Sequence, residues 1–162
     1  MIRIRTATSH DFDEIWPILQ EAFSKGDTYV FSPDMPKDEG LIAWMEVPWA
    51  TYVALKNNQI VGTYFIKPNQ PGLGSHICNA GYVVKADARG EGIGKAMCEH
   101  SLAEAKLLGF KGMQYNFVVS TNQTAIKLWG KCGFNKAGVL HNAYNHKEKG
   151  FVDAYVMYQW FE

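Results

Sequence analysis

Alternating and helical spacings of apolar side chains divide the first part of the chain into a strand and a helix. Residues Met1 to Ala7 alternate between polar and apolar, which is typical of a half-buried strand. A Thr8-Ser9 N-cap then precedes apolar residues at helical spacing, namely Phe12, Ile15, Leu19 and Phe23. Pro17 lies inside this helix and is expected to bend it or to end its first part.

A β-hairpin is the clearest element of the next segment. A less regular stretch from Lys25 to Pro36 and a short helix around residues 38–46 precede it. Strands Thr51 to Lys56 and Gln59 to Lys67 flank an Asn57-Asn58 turn, and Asn tolerates the positive φ that tight hairpin turns require. The pattern therefore predicts two adjacent antiparallel strands.

The second half of the chain alternates strands with helices. The predicted elements are a strand at 76–85, a helix at 91–108, a strand at 112–120, a helix at 122–132, and strands at 134–140 and 151–161 around a polar loop. Gly109 and Gly133 follow the two helices in the usual capping position. This order indicates a single α+β domain over residues 1–162, with a mixed sheet and helices on both of its faces.

Composition narrows the choice of partner and compartment. The 162 residues include sixteen basic and sixteen acidic side chains, so the net charge of zero argues against nucleic acid or an anionic membrane as the main partner. No apolar stretch approaches the length of a membrane span. Cys78, Cys98 and Cys132 lack the paired spacing of a metal site, so we expect reduced thiols in the cytoplasm and no bound metal.

Candidate chemistry centres on the junction between the strand at 76–85 and the helix that follows it. The run from Arg89 to Gly94 contains three alternating glycines, which let the backbone approach a bulky ligand without Cβ clashes. The first turn of the helix presents unpaired N–H groups and the positive end of its dipole. Together with Arg89 and Lys95, these features indicate an anion site for a phosphate or pyrophosphate, and therefore a phosphorylated cofactor.

The spacing of this loop selects among phosphate-binding motifs. A dinucleotide-binding fingerprint needs a glycine where Lys95 stands, and a P-loop needs Ser or Thr where Ala96 stands. The loop instead resembles the R/Q-x-x-G-x-G/A motif of the GCN5-related N-acetyltransferases (GNAT). Downstream, Asn122 to Phe134 resembles that family's N-x-x-A-x-x-L-Y-x-x-x-G-F motif, and the predicted order of elements is similar over essentially the whole chain.

The resemblance implies the rest of the architecture and the cofactor. A GNAT-like sheet is mixed but mostly antiparallel, and its central strand pair, here 76–85 and 112–120, splays apart. The unpaired main-chain groups bind the pantetheine arm of acetyl-coenzyme A, and one N–H polarises the thioester carbonyl. The cofactor-binding residues implied in this way are Tyr82, Val83 and Val84 through their main chain, and Arg89, Gly90, Gly92, Ile93, Gly94, Lys95, Asn122 and Trp129.

The implied reaction is direct attack of an amine on the thioester in a ternary complex, with no covalent enzyme intermediate. Trp129 stands where the family often has a Tyr that protonates the departing thiolate, and an indole N–H cannot usefully supply that proton. Either no acid is needed, or another tyrosine supplies it. Tyr144 and Tyr155 are the candidates.

The general base is left open by the sequence. Many members of the family carry a Glu on the strand that corresponds to 76–85, and this strand has none. Asn79 stands there and can orient a substrate or a water, although it cannot accept a proton. His76, Asp153 and Glu46 are alternatives, together with a water relay. The candidate catalytic residues are therefore Asn79, Tyr144, Asp153 and Tyr155.

Two segments bear on the acceptor substrate. Asp27 to Phe31 and Phe151 to Asp153 look similar to acetyltransferases of phosphinothricin and methionine-sulfone type, although Phe151 replaces a usual Trp. That resemblance implies a small-molecule amine of amino-acid type as the substrate and leaves a homodimer open. His141 and His146, in the predicted loop 140–150, lack a third metal ligand, so a substrate rim and a solvated loop are the two interpretations of this segment.

Two other function classes stay open. One is acetylation of a protein N-terminus or lysine, which an open groove with an acidic rim would favour. The other is a non-catalytic module that only binds coenzyme A, which the missing Glu and Tyr make conceivable. Release of free thiol from acetyl-coenzyme A in the presence of an amine library separates a catalyst from a sensor.

Overall fold

Seven strands form one sheet in the computed structural model, which describes residues 1–162. The strands are β1 (Arg3–Thr6), β2 (Ala50–Lys56), β3 (Gln59–Pro68), β4 (Ile77–Val84), β5 (Gly112–Val119), β6 (Asn135–His146) and β7 (Gly150–Trp160). Their order across the sheet is β1-β2-β3-β4-β5-β7-β6, and all neighbours are antiparallel except β4 and β5. The predicted α+β class with a mixed, mostly antiparallel sheet is confirmed.

Helices cover both faces of this sheet, as predicted. They are α1 (Phe12–Ser24), α2 (Lys37–Leu41, continued by a π-helical turn at Ile42–Glu46), α3 (Ile93–Leu107) and α4 (Gln123–Lys131). One apolar core joins the sheet to α1 and to Trp44, and the other joins it to α3 and Trp129 of α4. None of the helices is both long and apolar enough to cross a lipid bilayer.

The β2–β3 hairpin has the turn that its sequence predicts. Asn57 and Asn58 have φ values of 52° and 62°, and Lys56 pairs with Gln59 on either side of them. Two consecutive residues with positive φ are the requirement of the tight hairpin turn whose twist matches that of the flanking strands.

Three boundaries differ from the sequence-based expectation. Helix α1 runs through Pro17 to Ser24, so the expected end of its first part was wrong; one missing N–H leaves the flanking turns bonded. Helix α3 begins at Ile93, two residues later than predicted, because Gly92 has a φ of 81°. Strand β6 continues to His146, where a polar loop was expected. A register shift between Leu140 and Tyr144 interrupts its alternation and hides the strand in the sequence.

Candidate active site

The two central strands separate after a short parallel contact. Strands β4 and β5 pair only at Ile77 with Gly112 and at Cys78 with Met113. Beyond that point the Asn79 side chain spans the separation, since its Nδ2 donates to the Gln114 carbonyl oxygen at 3.0 Å. The space between residues 79–84 of β4 and 114–119 of β5 is called the β4–β5 gap below.

The hydrogen bonds at either end of β4 show which of its main-chain groups face this gap. Lys85 N donates to Val61 O, and Asn69 N donates to Ile77 O, so the odd-numbered residues of β4 bond to β3. The even-numbered Tyr82 and Val84 therefore turn their N–H and C=O groups toward the gap. Val83 pairs with Thr63 on β3, so the predicted main-chain contact of Val83 with a cofactor was wrong.

Tyr82 is held rigidly at the centre of the gap. Its hydroxyl lies 2.6 Å from Ser101 Oγ and 2.9 Å from the Tyr115 hydroxyl, beneath α3. Its carbonyl oxygen accepts a 2.6 Å hydrogen bond from the Tyr29 hydroxyl. Burial raises the pKa of the Tyr82 phenol well above its usual range, so this side chain stays protonated and acts as a structural anchor for β4.

The glycine-rich loop opens an anion-binding surface beyond the end of β4. Gly90 and Gly92 have φ values of 80° and 81°, and no atom lies within 4 Å of the place that a Cβ on either would occupy. The N–H groups of Gly92, Ile93, Gly94 and Lys95 precede the first intrahelical bond of α3, from Ala96 N to Gly92 O, and no side chain caps this helix. Four amide donors therefore stand free beside open space.

The residues around this loop have separate roles. The Ile93 side chain is fully buried, so only its main chain can contribute to the anion surface. A Cβ on Gly94 would lie 3.2 Å from Leu128, which fits a glycine chosen for close contact between α3 and α4. Arg89 and Lys95 are exposed, and Lys95 Nζ is 3.7 Å from Glu99, an exposed pair that leaves the ammonium largely solvated.

Helix α4 carries two of the predicted cofactor-binding residues. Asn122 is the N-cap of this helix: its Oδ1 accepts from Ala125 N at 3.3 Å, which leaves the amide Nδ2 without a partner in the chain. Trp129 is 9% exposed and packs on the rings of Tyr82 and Tyr115, with both centroid distances at 4.9 Å. Trp129 is therefore part of the core beneath the gap.

The four predicted catalytic residues do not bond to one another. Asn79 bridges β4 and β5, as described above. The Tyr144 hydroxyl donates to Tyr29 O at 2.9 Å, and burial followed by the nearby Asp27 charge raises the pKa of Tyr144. The Tyr155 ring lies under Lys136 Nζ at 3.8 Å. These contacts assign structural roles to three side chains without excluding chemistry from Tyr155.

Asp153, the fourth of these residues, holds the irregular part of β6. Its Oδ1 accepts from Asn142 N at 2.9 Å, where Asn142 has a φ of 54°. Its Oδ2 lies 3.5 Å from His141 Nδ1. The carboxylate thus stabilises the bulge that extends β6.

The remaining titratable candidates lie elsewhere. His76 and Glu46 are exposed, and the His76 ring approaches only Trp160, at 6.3 Å between centroids. His146 is buried and its Nδ1 accepts from the N–H groups of Glu148 and Lys149 in the β6–β7 turn. No three His, Cys, Asp or Glu side chains converge as metal ligands would.

Tyr29 is the site residue that the sequence pattern did not reveal. Its hydroxyl reaches the gap at Tyr82 O, while its own carbonyl is bound by Tyr144. The available signal was an aromatic pair, Tyr29 and Phe31, inside an otherwise irregular segment. Such a pair predicts burial without saying which strand it meets, and that contact spans 53 residues of sequence.

A cavity of about 390 Å³ adjoins Tyr29 on the side away from α3. The segment from Gly26 to Pro33 forms one wall, and Ala143 to Asn145 with Lys147 forms the other. The β6–β7 hairpin closes one end of it, since Lys147 N donates to Gly26 O at 3.0 Å and Lys147 Nζ donates to Ser24 O at 3.2 Å. Its volume is within the range of small-molecule sites.

Comparison with known proteins assigns this arrangement of a gap and a glycine-rich loop to a family. The model of the acetyltransferase (GNAT) family matches residues 12–134. The chain belongs to the GNAT family. That match spans the anion loop, both central strands and α4, and the resemblance seen in the two sequence motifs is confirmed.

Individual GNAT relatives match over different lengths. N-acetyltransferase aca1 of Schizosaccharomyces pombe is 38% identical over 120 residues, which make up 74% of this chain and 54% of that protein. The chain thus spans about half the length of this curated relative. A GCN5-related N-acetyltransferase from Kribbella flavida is 34% identical in sequence, with a TM-score of 0.94 over 99% of this chain and 98% of that one.

More distant structures share the GNAT fold. A phosphinothricin acetyltransferase from Sinorhizobium meliloti, solved in complex with acetyl-coenzyme A, is 19% identical and covers 99% of this chain and 88% of its own, with a TM-score of 0.88. At this identity the similarity shows the fold alone. It leaves the acceptor substrate to be argued from the residues of this chain.

Proposed function

We propose that this protein transfers an acetyl group from acetyl-coenzyme A to the primary amine of a small, amino-acid-like metabolite. The observation that carries the proposal is the continuity of three features. The anion loop leads into the β4–β5 gap, and Tyr29 joins that gap to the 390 Å³ cavity. Family membership supports the donor, and the cavity supports a small acceptor.

Acetyl-coenzyme A fits the donor side. The free amides from Gly92 to Lys95, the space at the two left-handed glycines and the side chains of Arg89 and Lys95 suit a pyrophosphate. The gap-facing groups of Tyr82 and Val84 suit the amides of a pantetheine arm, which would satisfy them. The free Nδ2 of Asn122 is a further donor toward that arm.

The chemistry we propose is direct aminolysis. The substrate nitrogen attacks the thioester carbonyl, the carbonyl oxygen becomes an oxyanion beside a gap-facing N–H of β4, and the carbon–sulfur bond then breaks. The electron pair leaves on sulfur, whose thiol has a pKa of about 8.5, and the amine loses its proton to solvent. Burial raises the pKa of the nearby Cys78 thiol to about 12, which favours a reaction without a covalent cysteine intermediate.

A small acceptor is favoured over a protein by the contacts that enclose the cavity. The hairpin tip at Lys147 bonds to the end of α1 at Ser24 and Gly26, which narrows the space through which a polypeptide would pass. The three cysteines form no disulfide, and this supports our proposal of a reducing compartment such as the cytoplasm. One domain covering residues 1–162 is likewise part of the proposal.

Thiol release from acetyl-coenzyme A, measured with a library of free amino acids and analogues and with a library of peptides, tests the proposal. We expect turnover with the former. Arg89→Glu should weaken acetyl-coenzyme A binding by about tenfold or more, because it reverses one charge-assisted contact with the pyrophosphate. Arg3→Glu, an exposed charge reversal on the far edge of the sheet, is the matched control and should leave binding unchanged.

Three results would count against the proposal. Turnover confined to peptides would favour the protein acetyltransferase alternative. Tight binding of acetyl-coenzyme A with no turnover across both libraries would favour the non-catalytic module. Equal affinity in Arg89→Glu, Arg3→Glu and the parent protein would remove the anion loop from the cofactor site.

A further inference from the structure

The β4–β5 gap is closed on the α1 face of the sheet by one aromatic side chain. The Tyr29 hydroxyl donates to Tyr82 O at 2.6 Å and lies 3.3 Å from the position of a Cβ on Gly81. Phe65 fills the other side of that position, with ring carbons at 2.7 and 2.9 Å. Gly81 thus has no side chain because two rings already occupy the space in front of it.

This closure lies at the end of the gap where the acyl group would be. The gap is shut at Cys78 and Met113, where β4 and β5 pair, and it opens toward Val84 and the anion loop beyond. With the pyrophosphate on that loop, the pantetheine arm runs from Val84 back toward Tyr82. The acyl end of the donor then points at Tyr82, and this step rests on the proposed function.

We propose that Tyr29 is a specificity-determining residue that limits the donor's acyl group to two carbons. A longer acyl chain would have to displace the phenol from Tyr82 O. Displacement would leave a buried carbonyl and a buried hydroxyl unpaired, which is costly in a water-poor site. An acetyl group needs no such displacement.

The structure holds Tyr29 too firmly for it to swing aside easily. Tyr144 donates its hydroxyl to Tyr29 O at 2.9 Å, which ties the segment to β6. The Tyr29 ring stacks on Phe31 with an angle of 8° between planes, and it packs against Phe23 and Trp44 at 5.3 and 6.0 Å. Tyr144 is therefore a positioning residue for Tyr29 in this proposal.

Binding of coenzyme A, acetyl-coenzyme A and butyryl-coenzyme A, measured by calorimetry, tests the assignment without knowledge of the acceptor. The parent protein should bind acetyl-coenzyme A at least tenfold more tightly than butyryl-coenzyme A, since single methylenes in a close-fitting pocket give about 10- to 200-fold discrimination. Tyr29→Ala should remove most of this preference, and Tyr29→Phe should reduce it. Val30→Ala, an exposed change in the same segment, is the matched control and should keep it.

The outcomes separate this inference from the proposed function. Coenzyme A that fails to bind the parent protein contradicts the proposed function, and the inference falls with it. Coenzyme A that binds normally, with butyryl- and acetyl-coenzyme A equal in the parent protein, overturns only the role of Tyr29. That role is also overturned if Tyr29→Ala or Tyr29→Phe, shown by circular dichroism to be folded, retains the full preference.

Discussion

At the scale of single residues, Trp129 illustrates how packing changes the meaning of a substitution. In the motif that Trp129 interrupts, the family often carries a tyrosine with a catalytic hydroxyl. Here the ring is buried against Tyr82 and Tyr115, and its indole N–H has no hydrogen-bond partner in the chain. The sequence indicated that the proton donor was missing, but the burial of this side chain depends on contacts that no local pattern shows.

Trp129→Phe should therefore keep most of the turnover, with a loss of no more than about tenfold, because no proton transfer depends on the indole. Steady-state kinetics with the acceptor found by the amine screen provide the measurement. Trp129→Ala is a poor test, since removing a buried Trp costs about 3–5 kcal/mol of stability. A loss of about 10²–10⁴-fold in Trp129→Phe, with acetyl-coenzyme A affinity intact, would mean that the indole takes part in the chemistry.

Asp153 separates a structural carboxylate from a catalytic one. Asp153→Asn keeps an oxygen for the Asn142 N–H, so we expect turnover to fall by less than about tenfold, whereas a general base would lose about 10²–10⁴-fold. Asp153→Ala removes that acceptor and should lower the free energy of unfolding by about 1–3 kcal/mol. Comparing kinetics with urea unfolding for both variants decides between the roles. A large kinetic loss in a stable Asp153→Asn protein would restore it as the base.

At the scale of elements, local chemistry predicted what local chemistry determines. The Asn57-Asn58 turn and the start of the anion loop follow from residues that tolerate positive φ, and both were recognisable in the sequence. The extension of β6 and the orientation of Val83 were missed for one reason. Each depends on which strand lies alongside and in which register, and a one-residue shift in pairing turns every side chain to the other face.

The connection between β1 and α1 rests on one ion pair and gives a pH prediction. Both Asp11 oxygens bond to the Arg5 guanidinium, at 2.8 and 2.9 Å, and Thr8 N donates to the same carboxylate at 2.7 Å. The hydrogen bond from Arg5, followed by those from Thr8, holds the pKa of Asp11 well below its usual range. Stability from this group is present above the unfolded pKa of about 3.9 and is lost as pH falls further.

Asp11→Asn should lower the free energy of unfolding at pH 7 by about 1–2 kcal/mol, a figure reduced for the partial exposure of Arg5. The difference between the variant and the parent protein should shrink below pH 4, because the parent then loses the charge that the variant never had. Urea titrations at pH 7 and pH 3.5 measure it. A difference that is constant across this range would show that the pair contributes nothing as an ion pair.

At the scale of the whole molecule, one sheet carries two cores. The core on the α1 face includes Leu19, and the core on the α3 face includes Met97; neither side chain has any exposed surface. Strand β3 contributes Phe65 to the first core and Tyr64 to the second, so neither face can lose its packing while the other keeps an intact sheet. The active-site gap lies between the two, and its geometry depends on both.

This shared sheet predicts that residues 1–162 unfold in one cooperative transition, as a single domain does. Leu19→Ala and Met97→Ala should each lower the urea midpoint by the equivalent of about 2–5 kcal/mol, with the slope of the transition unchanged. Hydrogen exchange should show that α1 and α3 lose protection together in both variants. If Leu19→Ala exposed only the amides of α1, or if the urea curve split into two steps, the two faces would be independent units. The proposed function would then have its donor loop and its acceptor cavity in separately folding parts, and a rigid Tyr29 between them could not be maintained.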